Sequence, residues 1–265
     1  GDAPGGFHSA TGNQLDYLMK FGVKVDTVDI SAVIYTEQKK AATGPVKTVR
    51  FTEIDIKNTV KKMHAGRKVQ VDAKTLFAGG KLYHAYKAII EANGYTSSVF
   101  RCWPEFQSPI LPMAACLSMT WLLTEGVVSA AACEADWPTA VTQAMATYLT
   151  GRPAACLDFV NYTAGSDIVQ LAHCGVGIAG CMAEGDCIAN HGVCRQGGNK
   201  MGPTLIGQFE YGTKTVIDMI PAGDGKFKML VFTGESDKST ARNILYSAAD
   251  IRVEKYKKLN ELILE

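Results

Sequence analysis

The chain has 265 residues, of which 47% are hydrophobic and 20% charged, with a formal net charge of +1. That length supplies one large or two ordinary domains with ample core, and the even balance of charge excludes a nucleic-acid surface or an acidic tail. No run approaches the roughly 18 consecutive apolar residues of a membrane span, and the opening GDAPGGFHSATG is too polar for a secretory signal.

In chain order, residues 13–21 (NQLDYLMKF) predict a short helix with Leu15, Leu18 and Met19 on one face and Gly22 as its stop. Residues 23–30 alternate valine with charge and predict a strand, and Ser31 is placed to cap a helix over 32–42. Gly44-Pro45 breaks the chain. Residues 51–63 predict an amphipathic helix with Ile54, Ile56 and Val60 inward. Residues 74–92 predict the longest helix, interrupted by Gly79-Gly80 and ended by Asn93-Gly94.

A strand over 95–102 follows, then a proline-containing loop over 103–112, a helix over 113–124, a strand over 127–133 and a helix over 138–149. Pro138 suits a first helical turn and Asp136 a cap. This βαβα rhythm predicts a mainly parallel sheet with helices on both faces, an α/β domain over residues 1–150. After Gly151 the texture changes to short β-like segments with glycine turns, including 213–221 and 226–232, which predict a C-terminal domain over 151–265 built as a sheet or barrel. A lysine-rich helix is expected to close the chain.

The chemistry concentrates where apolar runs end on polar groups. VVSAAACEAD (127–136) stops on Cys133, Glu134 and Asp136; PAACLD (153–158) ends on Asp158; IVQLAHC (168–174) ends on His173. Carboxylates are seldom buried without a partner or a metal. If the segments bearing Glu134 and Asp158 are adjacent parallel strands, their side chains meet at the carboxyl ends of the sheet. Two carboxylates that close repel unless a proton or cation lies between them. With His173 as third ligand they would suit Mn²⁺ or Mg²⁺. The alternative is that Glu134 caps a helix, Asp158 faces solvent and His173 is a core histidine.

The cysteines offer a weaker signal. Cys102, Cys116, Cys133 and Cys156 lie in apolar runs and read as buried, reduced thiols of a cytoplasmic protein. Cys174, Cys181, Cys187 and Cys194, with His191, fall within 21 residues, but their intervals fit no zinc knuckle. AGGKL (78–82) lacks the first glycine and the hydroxyl of a phosphate loop.

RCWPEFQ (101–107), ACEAD (132–136), YLTGRPA (148–154), LDFV (157–160), LAHCG (171–175) and the glycine-rich stretch 192–209 together resemble L-fucose isomerase and its relatives, including L-arabinose isomerase. The resemblance implies α/β domains followed by a C-terminal domain with a β-barrel. It also implies a metal-dependent aldose–ketose isomerase and a homo-oligomer acting on a small sugar. Carried over residue by residue, Glu134 and Asp158 would bind Mn²⁺ and pass a proton between C1 and C2 through an ene-diol, with their acid and base roles open. His173 would be a further metal ligand, as in the arabinose-isomerase branch. Relatives have another α/β domain before GDAPGGF and a histidine-bearing segment at the end, so this chain is expected to be a C-terminal fragment. A non-catalytic sugar- or metal-binding relative is the alternative.

Overall fold

In the computed structural model, residues 3–37, 49–106, 113–162, 166–190, 201–238, 240 and 246–253 are described. The helices are α1 (Gln14–Phe21), α2 (Ile30–Glu37), α3 (Glu53–His64), α4 (Ala73–Asn93), α5 (Cys116–Thr124) and α6 (Trp137–Thr150). The strands are β1 (Lys68–Val69), β2 (Ser97–Val99), β3 (Ala130–Ala132), β4 (Asp158–Tyr162), β5 (Ile168–His173), β6 (Cys187–Ala189), β7 (Thr204–Gln208), β8 (Gly212–Pro221), β9 (Phe227–Ser236) and β10 (Ser247–Arg252).

Side-chain caps set the helix ends. The Asn13 side chain accepts the Leu15 N–H and Gly22 closes α1 in the left-handed region. Thr52 and Asp55 form a reciprocal capping box on α3, and Asp72 accepts the Thr75 N–H to start α4. The helix α4 runs through Gly79-Gly80 without a break. These glycines are packing positions: a Cβ on Gly79 would stand 2.5 Å from Pro203 Cγ, and one on Gly80 2.7 Å from Val60 Cγ2.

Amphipathic faces are less faithful to their sequence pattern. On α1, Leu15 and Met19 are 61% and 78% exposed, and the buried residue is Tyr17, whose ring packs edge-on against Trp137 and Phe227. On α3, Ile56 and Met63 are buried while Ile54 faces outward. Residues 23–29, expected as a strand, pair with no strand among the described residues.

Two sheets are present among the described residues. The pair β2–β3 is parallel, in register Val99↔Ala132, with α6 against both strands and α5 against β3. The larger sheet has eight strands in the order β1-β6-β7-β10-β5-β4, with the β8–β9 hairpin attached through β9 to β10. Its pairings are mixed: β1–β6 and β7–β10 are parallel, and β6–β7, β10–β5, β4–β5, β9–β10 and β8–β9 antiparallel. The expected barrel is not closed among the described residues, because β1 and β4 stand at opposite ends of the strand order. The parallel arrangement expected within residues 1–150 holds for the pair β2–β3, whereas the larger sheet, built mainly from residues after 150, is mixed. There, short connections such as that between β8 and β9 cannot provide the crossover that parallel neighbours need.

Residue 150 ends α6, and one cluster of buried side chains, from Ala32 and Val33 through Leu117 and Leu122 to Leu205 and Ala249, draws on both sides of it. Arg67 crosses the same boundary, its Nε donating to Asp186 Oδ2 at 2.8 Å in a largely buried ion pair. No helix among the described residues is long and apolar enough to cross a membrane. The expected closing lysine-rich helix, the part of the expected 32–42 helix beyond Glu37 and most of the glycine-rich stretch fall outside the described residues.

Candidate active site

Glu134 stands on a strained turn. The strand β3 ends at Ala132, and the chain enters α6 through Cys133, Glu134 and Ala135. Glu134 (φ 59) and Ala135 (φ 57) both adopt the left-handed conformation, at a cost of roughly 1–2 kcal/mol per L-residue. The turn is pinned by the Ala135 N–H donating to Phe100 O at 2.9 Å and the Asp136 N–H to Cys133 O at 3.0 Å. Asp136 caps α6 by accepting the Thr139 N–H at 2.9 Å, and Pro138 lies in the first turn, as expected. A side chain held in such a conformation where glycine or asparagine would relax it marks a candidate functional position.

Asp158 and His173 arrive from the larger sheet. Asp158 is the first residue of β4, whereas the sequence suggested the last of a preceding strand; His173 is the last residue of β5. The antiparallel register Asp158↔Ala172 sets the start of one strand beside the end of the other. Glu134 and Asp158 therefore belong to different sheets, not to adjacent parallel strands. Their electrostatic coupling nevertheless brings all three expected residues into one neighbourhood.

That coupling shows in their acidities. Burial, chiefly, and then the charge of Asp158 push the half-buried Glu134 up to about 7, with His173 opposing. Asp158 is exposed by area, yet crowding by the surrounding protein raises its carboxyl, with His173 opposing and Cys174 adding. Asp136 is also raised, by burial and then by Asp158 and Asp218, against the Thr139 hydrogen bond.

The imidazole of His173 is 3% exposed. Its Nδ1 faces two donors, the backbone N–H groups of Gly175 and Val176, each at 3.3 Å, and lies 3.8 Å from Cys174 Sγ. Burial favours the neutral ring, while Cys174, Asp158 and Glu134 draw it up to about 9. The two amides are fixed by the backbone and can only donate. The arrangement is therefore satisfied by an Nε2–H tautomer, with Nδ1 as acceptor. Binding a cation through Nε2 would require the proton to move to Nδ1 and those amide contacts to open.

Sequence reading missed the thiols lining this neighbourhood. Cys133 lies within hydrogen-bond reach of Cys102 and Cys174, and Cys174 also of Cys116. Among the described residues, the set of three metal-competent groups whose ligand atoms all fall within 4.8 Å of one another is Cys102, Cys133 and Glu134. Glu134, Asp158 and His173 are not gathered that tightly. The available signal was adjacency, since Cys133 precedes Glu134 and Cys174 follows His173. All seven cysteines among the described residues are free thiols; Cys194 and His191 lie outside them.

Gln143 of α6 ties the two carboxylate-bearing segments together, contacting the backbone at Ala131 and Ala154. A cavity of about 880 Å³ runs beside β2, between residues 21–30 and α6, lined in part by Arg101, Glu105 and Ala135. Glu134, Asp158 and His173 are not among its lining residues, so this volume lies beside the candidate site.

No protein-family model matches the chain. It is 29% identical over 248 residues to the sulfoquinovose isomerase of Clostridium sp. (strain MSTE9), an alignment covering 89% of this chain and 50% of that protein. The chain thus spans about half the length of the curated relative it matches. This likeness runs through most of the chain.

Proposed function

We propose that the chain carries the proton-transfer and cation-binding groups of an aldose–ketose isomerase of the L-fucose/L-arabinose isomerase type. The observation that carries this reading is the approach of Glu134, with its carboxyl near 7, to Asp158 from a different sheet. The similarity to a protein named sulfoquinovose isomerase supports the reaction class and extends the expected substrates from fucose- and arabinose-type aldoses to that sugar.

Glu134 and Asp158 would form an oxygen donor set whose repulsion a divalent cation would relieve, and Glu134 is raised by burial first and by the charge of Asp158 second. They would hold Mn²⁺, with His173 joining through Nε2 once its proton has shifted. When bound, the ion supplies stabilisation of negative charge on two neighbouring sugar oxygens. The chain's own residues move the proton. One carboxylate takes it from the carbon beside the aldehyde, leaving an ene-diolate; the proton of the neighbouring hydroxyl passes to the former aldehyde oxygen, and the carboxyl so formed returns the carbon-bound proton to the former aldehyde carbon. Glu134, with a value near neutrality, is suited to exchanging a proton at working pH.

Aldose-to-ketose conversion, followed with and without Mn²⁺ in the protein carrying this chain, tests the proposal. Glu134→Gln and Asp158→Asn are each expected to lower kcat by about 10²-fold or more, the scale of general acid–base catalysis. Conversion that survives both substitutions would overturn it. Homo-oligomeric assembly belongs to the same proposal and is measurable by analytical ultracentrifugation.

A further inference from the structure

We infer a second metal site on the inner side of the same turn, for a soft divalent ion such as Zn²⁺ or Cd²⁺, built from Cys102, Cys133 and Glu134. The inference goes beyond the isomerase reading, sharing with it only Glu134.

Three observations carry it. Two sulfur atoms and a carboxylate oxygen lie within 4.8 Å of one another, although they come from the segment after β2 and the turn after β3. Zinc bonds of about 2.3 Å to sulfur and 2.0–2.2 Å to oxygen place tetrahedral ligands roughly 3.5–3.8 Å apart, so closing the set needs only small side-chain rotations. Second, Cys102 and Cys133 are 3% and 2% exposed, while Glu134 is half-buried. The thiols are thus shielded and the carboxylate forms the entry. Third, the set offers three protein donors, the number found in open zinc sites, where water completes the tetrahedral shell.

Chemistry separates this site from the proposed hard one. Thiolates select soft ions, whereas carboxylate pairs suit Mn²⁺ or Mg²⁺. Binding displaces the thiol protons of Cys102 and Cys133 to solvent. It also draws the Glu134 carboxylate toward sulfur, so soft and hard ions compete for one side chain.

The test is titration of the reduced, metal-free chain with Cd²⁺, reading the ultraviolet sulfur-to-cadmium charge-transfer band. One equivalent is expected to saturate the band. Cys102→Ser and Cys133→Ser should each weaken binding by roughly 100-fold, at least the scale seen when groups supporting a metal site are removed, and Glu134→Gln should weaken it less. Cys187→Ser should leave the titration unchanged. A band absent from the wild type, or undiminished in both cysteine variants, overturns the site. If the serine variants do not fold, the wild-type chain decides: its bound ¹¹³Cd²⁺ must give an NMR resonance of a sulfur-containing ligand set, and a resonance of an all-oxygen set overturns the site. These readouts do not depend on turnover, so failure of the isomerase reading would leave them untouched, and their failure would leave that reading standing.

Discussion

Gln143 is hydrogen-bonded to the backbone of Ala131: its side-chain oxygen accepts the Ala131 N–H at 2.9 Å along the edge of β3 that no strand covers among the described residues. Its amide nitrogen donates to Ala154 O at 2.7 Å, three residues before Leu157 and four before Asp158. One buried side chain thus fixes the strand leading to Glu134 and the segment leading to Asp158.

Gln143→Ala is expected to destabilise the chain by about 2–4 kcal/mol, because a buried backbone group left without its partner costs about 1–3 kcal/mol. Gln143→Glu keeps the acceptor for Ala131 but loses the donor to Ala154, and should still fall below the wild type. Urea unfolding gives both values. A change below about 0.5 kcal/mol in Gln143→Ala, the level of an ordinary surface substitution, would remove the bridge from the account.

The pH dependence of stability follows from Glu134. Its carboxyl is raised in the folded chain to about 7 from an ordinary 4.5. Between those values the folded state binds more protons than the unfolded one, so stability falls as pH rises, and the loss is complete above about 7. Glu134→Gln lacks this titration. The stability advantage of the glutamine variant should therefore grow from pH 4.5 to 7 and level off above. Added Mn²⁺ should shrink that advantage at pH 8 by favouring the ionised wild-type pair. An advantage constant across pH would count against the site's electrostatics.

His173 yields a spectroscopic expectation. The neighbouring charges draw the ring up to about 9, but the Gly175 and Val176 N–H groups aimed at Nδ1 oppose a proton there; the backbone geometry decides, and the metal-free chain should show ¹⁵N chemical shifts of an Nε2–H imidazole at pH 7. A doubly protonated ring at that pH would show that the charges of Cys174, Asp158 and Glu134 prevail over the amides.

The Arg67–Asp186 pair joins the two halves of the chain in a setting where their side chains are 16% and 6% exposed. Removing one member of a buried pair costs about 3–5 kcal/mol, so Asp186→Ala should lower stability by that order. The exposed Glu53–Lys57 pair on α3 should contribute under about 1 kcal/mol. Thermal unfolding of Asp186→Ala and Glu53→Ala side by side distinguishes them; equal losses would contradict the difference in burial.

Much of the fold was readable where a local rule decides the outcome. The cap at Asp136 and the stops at Gly22 and Gly94 follow from side-chain and backbone chemistry within one turn. What failed depended on partners far away in sequence. Leu15 and Met19 form a regular apolar stripe, but Tyr17 fills the gap between Trp137 and Phe227 and turns α1 about its axis. The alternation in 23–29 reads as a strand, yet strand formation needs a neighbour, and none pairs there among the described residues. At the site, Glu134, Asp158 and His173 were legible because charge at the end of an apolar run is locally anomalous. Their distribution over two sheets was not, since register and strand direction are set by pairing. The thiol cluster was signalled only by the adjacency of Cys133 to Glu134 and of Cys174 to His173; its assembly was not legible, for the same reason, because Cys102, Cys116, Cys133 and Cys174 are spread over 73 positions.

The left-handed pair at Glu134 and Ala135 has an evolutionary corollary. Selection for folding alone favours glycine or asparagine at position 134, since either relaxes the turn and removes a half-buried carboxyl. If the proposed proton transfer is what holds a glutamate there, relatives that lack the isomerase activity should carry other residues at position 134 more often than relatives that have it, and a sequence survey of assayed relatives checks this.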